Sequence, residues 1–465
     1  MKIQSFKVVG VRGFLTKDIS FRDSVTFLIG INGSGKTTIL DLMYGLLNPC
    51  LEKLLTISFK EITLVCEVED DKVNSQSKNI QIVCKKQGDN VIIVYQDLEN
   101  EKYCEYSVSN ILSEDDYLCD WDRTYSELDN AFAKSEVYSK IRSLSTPVIL
   151  NLNRYLSNIV ELDRPLKIIR GLRNVPRQGS GGDIQRALLN VQELVYLTIR
   201  KTARQQSRLA EDFKNKVFED MFKTPQNNDF NLPGNNPDNY SRVKDLRKTL
   251  FESESLDEET NKLTQKINQY LEGYEATLQE YTSSFKGKKI DPSKVNIDLF
   301  KKMIVYDMQY NKIMNIAEYA KQNMQEVRKL HEPLKRFENS INMFFKEGRK
   351  QIKVSGSGDI LVLNHNKGAK VQDTIFNLSS GEKQLIILMA CLSLSEDSER
   401  SHVYVVDEPE ISLHISWQEQ FVDALLEASP NTQFILATHS PSIIAKNDRR
   451  TWCEDITMRQ DGTRI

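Results

Sequence analysis

At 465 residues the chain has room for two or three domains and a large buried core. Hydrophobic residues at 40% and charged residues at 27% are ordinary for a soluble globular protein, and a net charge of −3 excludes a surface that attracts polyanions as a whole. The longest apolar run, Leu385 to Leu392, is too short to cross a bilayer, and Met1 to Phe6 does not read as a secretory leader.

Strands are predicted at 2–9 and 19–29, with Val11-Arg12-Gly13-Phe14 between them. Gly30 to Thr38 reads GINGSGKTT and fits Gly-x-x-x-x-Gly-Lys-Ser/Thr. The apolar run Val25 to Ile29 precedes it, and a helical spacing of apolar residues from Thr38 to Met43 follows. Strand, glycine loop and helix in that order suit a phosphate. Glycines let the backbone wrap the anion, and the new helix offers unpaired N–H groups and the positive end of its dipole. The candidate nucleotide-binding residues are Gly30, Asn32, Gly33, Ser34, Gly35, Lys36, Thr37 and Thr38, with Thr37 placed to hold Mg²⁺. The bland alternative is a glycine turn between strand and helix.

Residues 59–107 alternate through Ile62, Leu64 and Cys66, then Ile80, Ile82 and Cys84, then Val91, Ile93 and Tyr95, with a turn at Gly88-Asp89-Asn90. This predicts an antiparallel sheet with one wet face. Residues 111–145 read as helical, and Pro147 to Leu152 as a short strand. From 183 to 347 the chain is charged and helical, with Leu263, Ile267, Tyr270, Tyr274 and Tyr281 at coiled-coil spacing and a polar break at 224–240. A short arm or lid is expected, then a hairpin at 351–363 around Ser355 to Gly358 that returns the chain to the sheet. Seven cysteines, Cys50, Cys66, Cys84, Cys104, Cys119, Cys391 and Cys453, form no C-x-x-C and read as reduced thiols of a cytoplasmic protein without a zinc site.

Three motifs follow: LSSGEKQL from Leu378, VYVVDEPE from Val403 and FILATHS from Phe434. Each alone has a bland reading. Ser379 with Glu382 makes a capping box, Asp407-Glu408 caps a strand end, and a lone His439 is structural. Their joint order downstream of a phosphate loop points instead to a nucleotide site.

Together the four motifs resemble the ABC-type ATPase head shared by RecF, Rad50, SMC proteins and the OLD family. DEPEISLHISWQ and ATHSPSII in particular resemble OLD-like ATPases of bacterial defence. The resemblance covers residues 1 to about 150 and about 351 to 447. It implies an α/β P-loop head, a mixed sheet plus an antiparallel subdomain, with a helical, short coiled-coil insertion. The expected divisions are 1–150, 151–350 and 351–465. ATP and Mg²⁺ are the implied ligands. Lys36 and Thr37 match the phosphate loop, Asp407 the Mg²⁺-organising aspartate, Glu408 the general base and His439 the switch histidine. Ser379 and Gly381, with Glu382 beside them, match the signature motif that caps the γ-phosphate of the opposite subunit, which implies a homodimer or higher oligomer. Arg12 either contacts nucleotide or simply sits in an Arg-Gly turn. No residue matches the glutamine loop; Asn151, Asn153 and Arg154 stand near its place.

A basic run of Arg164, Lys167, Arg170, Arg173 and Arg177 reads either as a contact for nucleic acid or an acidic partner, or as a solvated face, and the lack of interleaved aromatics favours the face. Only 26 residues follow His439, too few for the nuclease domain that OLD proteins carry there. The expectation is therefore an ATPase subunit that senses a phage-encoded trigger and controls a separate effector, a nuclease of the TOPRIM kind. Stand-alone ATPases of anti-phage modules such as PARIS and Septu are similar, PARIS most of all. The alternative is a RecF-like repair ATPase that binds DNA directly.

Overall fold

The computed structural model describes residues 1–49, 51–69, 77–88, 90–100, 102–109, 121–144, 148–150, 180–222, 258–284, 297–366, 369–394, 403–444 and 449–457. Asn151, Asn153, Arg154, the basic run from Arg164 to Arg177, Cys50, Cys119 and the 224–240 break lie outside these residues. The chain divides into two compact units, one made of Met1–Leu197 with Leu334–Ile465 and the other of Thr198–Pro333.

The first unit is built on a parallel sheet in the order β14-β3-β13-β12-β8, comprising Cys453–Asp455, Val25–Ile29, Gln433–Ala437, Val403–Asp407 and Val148–Leu150. Strands covered on both faces read as near-continuous apolar runs, and VTFLI, QFILA and VYVVD do so apart from Thr26, Gln433 and the terminal Asp407. Leu28 pairs with Ala437 and Ala437 with Asp407, so the last turns of three strands share one register row. Parallel strands all end at the same edge, and the loops that leave them there meet.

An antiparallel sheet of six described strands lies in the same unit, in the order β2-β1-β4-β5-β6-β7. Its strands are Leu15–Ser20, Lys2–Val11, Glu61–Glu69, Ser77–Gln87, Asn90–Asp97 and Lys102–Ser109. The alternation of buried Ile80, Ile82 and Cys84 with half-exposed neighbours gives it one core face. Gln87 pairs with Asn90, and Gly88 takes the left-handed backbone (φ 56°) that a two-residue hairpin turn requires. Lys86 is turned inward, its ammonium donating to the carbonyls of Leu55 (2.8 Å) and Ile57 (2.7 Å) over the ring of Phe59.

Two expectations change. The predicted strand 19–29 is two strands in two different sheets. Between them Phe21 N–H bonds back to Gln4 O (2.9 Å) and Arg22 N–H to Thr26 Oγ1 (2.8 Å), local bonds that turn the chain out of one sheet and into the other. The hairpin after the helices is present, with Val354 paired to Ile360, but it does not rejoin the earlier sheets. With Ala369–Thr374 it forms a three-stranded sheet of its own.

The second unit is helical. It draws on parts of the 43-residue helix Ser180–Phe222 and the 49-residue helix Ile297–Phe345, and on the 27-residue helix Glu258–Ser284, which contains the 263–281 heptad spacing. Ile267, Leu271 and Tyr274 are buried with Ala317 and Met324, and the Tyr270 hydroxyl donates to Tyr306 O (2.6 Å). The unit boundary falls at Pro333, inside the last of these helices, where proline removes a backbone donor.

Candidate functional site

The phosphate-loop sequence lies between the end of β3 and helix Lys36–Leu47. Gly35 is left-handed (φ 97°), and a Cβ on Gly30 would stand 2.6 Å from Ser34 Oγ, so the loop closes only around glycines. Lys36 is buried, its ammonium donating to Gly30 O (3.0 Å) and Ile31 O (3.4 Å) and lying against Nε2 of His439. Thr37 Oγ1 donates to Asp407 Oδ2 (3.1 Å) across from β12. Asn32, Gly33 and Thr37 are exposed.

The carboxylates stand at the end of β12, Asp407 as its last residue and Glu408 just beyond it. The Glu408 backbone is left-handed (φ 48°), a conformation that costs a non-glycine residue about 1–3 kcal/mol and gathers at functional sites. Its N–H bonds to Ala437 O (2.9 Å), which ties this strained turn to the strand carrying the histidine. The second oxygen of Asp407 is buried and accepts no hydrogen bond. Burial chiefly, with Glu408 and Asp41 nearby, pushes the Asp407 carboxyl above the ordinary carboxylate range, against the pull of Thr37 and Lys36. Burial likewise lowers Lys36 below an ordinary lysine, while Glu408, Asp407 and Glu410 oppose the shift. An orphaned carboxylate oxygen beside a hydroxyl suits a hard cation that brings water and phosphate oxygens of its own, so Thr37 and Asp407 fit Mg²⁺. Among the described residues no cluster of three or more His, Cys, Asp or Glu makes a self-contained metal site.

The signature sequence opens helix Ser380–Leu394, whose apolar run Leu385 to Leu392 is buried core. Ser379 N–H and Oγ both donate to Glu382 Oε2 (2.9 and 2.8 Å), the capping box that the spacing allowed. Lys350 donates to the other oxygen (2.7 Å). Burial would raise the Glu382 carboxyl, but these bonds from Lys350 and Ser379 hold it below the ordinary range. Arg12 is exposed on a left-handed turn (φ 50°), its N–H bonded to Ser58 O (2.8 Å).

Residues 1–444 match the AAA_15 family, described as an AAA ATPase domain. The chain belongs to this family. As an AAA_15 protein it is an ATPase, with a mixed α/β fold and a helical insertion. It is similar to the retron Vc95 probable ATPase of Vibrio cholerae serotype O1 biovar El Tor, 34% identical over 103 residues, 20% of each chain. It is also similar to the retron Ec83 probable ATPase of Escherichia coli, 31% identical over 94 residues, 18% of this chain and 17% of that one. The matches thus span about a fifth of those relatives. Among solved structures, an Smc head domain from Pyrococcus furiosus bound to the C-terminal domain of ScpA overlaps at a TM-score of 0.36 and 11% identity, covering 96% of this chain and 92% of that one. The Thermotoga maritima SMC head domain overlaps at 0.32 and 12%, covering 96% and 93%.

In this AAA_15 ATPase, sequence reasoning missed Glu410. It accepts the Thr438 hydroxyl (2.8 Å) and the His439 N–H (2.7 Å), and its only sequence signal is a third carboxylate two residues after Glu408. No described helix is long and apolar enough to cross a membrane.

Proposed function

We propose that this ATPase is the sensor and scaffold subunit of a bacterial anti-phage module, holding a separate nuclease effector of the TOPRIM kind until a phage-encoded trigger arrives. The observation that carries the nucleotide part of this reading is the meeting of Lys36, Thr37, Asp407 and His439 at one edge of the parallel sheet. The retron context of the two named relatives supports a role in defence. Chain length is what favours the PARIS ATPase as a counterpart.

Lys36 leaves the carbonyls of Gly30 and Ile31 to meet the β- and γ-phosphates, and its low-dielectric seat strengthens that contact. Gly30 to Thr38 present backbone N–H groups to the same anion. Mg²⁺, held by Thr37 and Asp407, neutralises phosphate charge when bound. Glu408 takes the proton of the attacking water, and His439 lies beside the γ-phosphate. Ser379 and Gly381 cap the nucleotide of a second subunit, so the working unit is a homodimer or larger. Arg12 contacts nucleotide from its exposed turn. Closure of two heads over ATP then changes contacts with the effector by differential affinity for the two states.

Mixing tests the shared site. Ser379→Arg and Lys36→Ala subunits are each predicted to be inactive, and mixed dimers to regain hydrolysis at one of their two sites. No recovery in a demonstrated mixed dimer removes the shared-site reading. Co-expression with the neighbouring gene product under phage challenge tests the rest. Equal protection by wild type and Glu408→Gln, or salt-dependent binding to bare duplex DNA without any stable protein partner, favours the repair alternative.

A further inference from the structure

The histidine loop, Thr438 to Ser440, leaves β13 without regular secondary structure, yet His439 must stand at a fixed place against Lys36. Its bonds show what fixes it. Glu410 Oε1 accepts the His439 N–H at 2.7 Å and Oε2 the Thr438 hydroxyl at 2.8 Å. Thr438 Oγ1 in turn accepts the Ser440 N–H (3.0 Å), and Ser440 Oγ donates to Gln418 Oε1 (2.6 Å). Gln418 Nε2 closes the ring by donating to Leu413 O (3.0 Å) and Glu410 O (3.3 Å). Both oxygens of one carboxylate are thus spent on the histidine loop, two residues from Glu408. Thr438 N–H also bonds to Leu28 O (3.2 Å), on the strand that leads into the phosphate loop.

We propose that Glu410 is a positioning residue of the ATPase reaction, locking the histidine loop to the carboxylate loop so that His439 and Glu408 face the γ-phosphate as one rigid frame. It acts through Thr438 and His439, whose donors occupy both of its carboxylate oxygens. Its contribution is geometric, and a displacement of about 1 Å in such a frame costs up to about a hundredfold in rate. The inference rests on the assignment of the nucleotide site given above.

The test uses the full chain and steady-state ATP hydrolysis. Glu410→Ala is expected to lower kcat at least about tenfold while KM for ATP stays within about threefold, because the frame acts on the reacting geometry more than on binding. Glu410→Gln should recover most of kcat, since its amide oxygen accepts the His439 N–H and its NH₂ donates to Thr438 Oγ1. In a His439→Ala background, Glu410→Ala should cost less than about twofold more, as expected of two residues acting through one another. A folded Glu410→Ala enzyme with normal kcat, a Gln variant as slow as Ala, or fully additive losses each overturn the proposal. If Glu410→Ala does not fold, Thr438→Val removes one of the two bonds. A kcat loss of about threefold at unchanged KM supports the proposal, and no loss overturns it. Lys36→Ala, measured alongside, separates the premises. If it hydrolyses ATP normally, the site assignment itself fails. If it is inactive while Glu410→Ala is normal, only the role of Glu410 falls.

Discussion

The end of β12 and the first turn of helix Ser380–Leu394 each enclose a carboxylate, and they solvate it in opposite ways. Glu382 has every oxygen engaged by Lys350 and Ser379, which hold its carboxyl below the ordinary range against burial. Asp407 has one oxygen on Thr37 and the other buried without a donor, and it is held weakly acidic, chiefly by burial. Buried polar groups are ordinarily paired, and an unpaired carboxylate oxygen beside a phosphate-loop hydroxyl fits a partner that arrives with a ligand. The Glu382 carboxylate is satisfied within the chain, whereas the Asp407 carboxylate leaves an acceptor for something that binds. Substitutions that remove the bonds to Glu382 should therefore act on stability, and those at the end of β12 on nucleotide.

The sharpest break in this contrast would come from Lys36→Ala. Nucleotide affinity is predicted to fall at least about a hundredfold with the fold retained, read by calorimetric titration and circular dichroism. Tight ATP binding by the folded variant ends the argument. Next in size, Glu408→Gln should bind ATP yet turn it over about a hundredfold more slowly or worse, in a phosphate-release assay. On the signature side, Lys350→Met is predicted to cost about 1–3 kcal/mol in denaturant unfolding, because it leaves a buried carboxylate oxygen unpaired. Glu382 is depressed in the folded state, so its contribution is present above its ordinary value of 4.5 and is lost as pH falls through the lower folded value. The gap between wild type and Lys350→Met should thus close in acid, and a constant gap would mean that the bond to Glu382 is irrelevant. The smallest effect has the opposite sign. Asp407 is raised in the folded state, so its folding contribution is present below 3.8 and is lost as pH rises through the higher folded value. Nucleotide-free Asp407→Asn should therefore melt roughly 1–3 °C above wild type at neutral pH and converge with it in acid. A lower melting point would show that the wild-type carboxylate is well solvated after all.

What could be read beforehand divides along similar lines. The strands that carry the motifs in the parallel sheet were legible because burial on both faces leaves near-continuous apolar runs, and the four motif loops because each adjoins such a run, whereas the short edge strand Cys453–Asp455 has no such run. The 88–90 turn was legible from local backbone chemistry. The break at Phe21 to Ser24 was not, since it depends on Gln4, a partner in another strand. Lys86, Lys350, Glu410 and Gln418 look like surface residues in sequence. Each acquires its meaning from a carbonyl, carboxylate or loop that only the tertiary fold brings near.

The parallel sheet has a temporal consequence for a chain that is synthesised from one end. β3 pairs on one side with β13 and on the other with β14, so neither neighbour exists until residues beyond 430 have been made. Gln433 then fastens the two ends of the sequence, accepting the N–H of Ile3 and donating to the carbonyls of Ile3 and Arg22. Until that late closure the apolar strand Val25–Ile29 waits on the ribosome with both edges unpaired, while the hairpins from Glu61 to Ser109 can form from neighbouring segments alone. Truncated nascent chains should accordingly acquire the hairpin sheet early and nucleotide binding only after Ala437 has emerged.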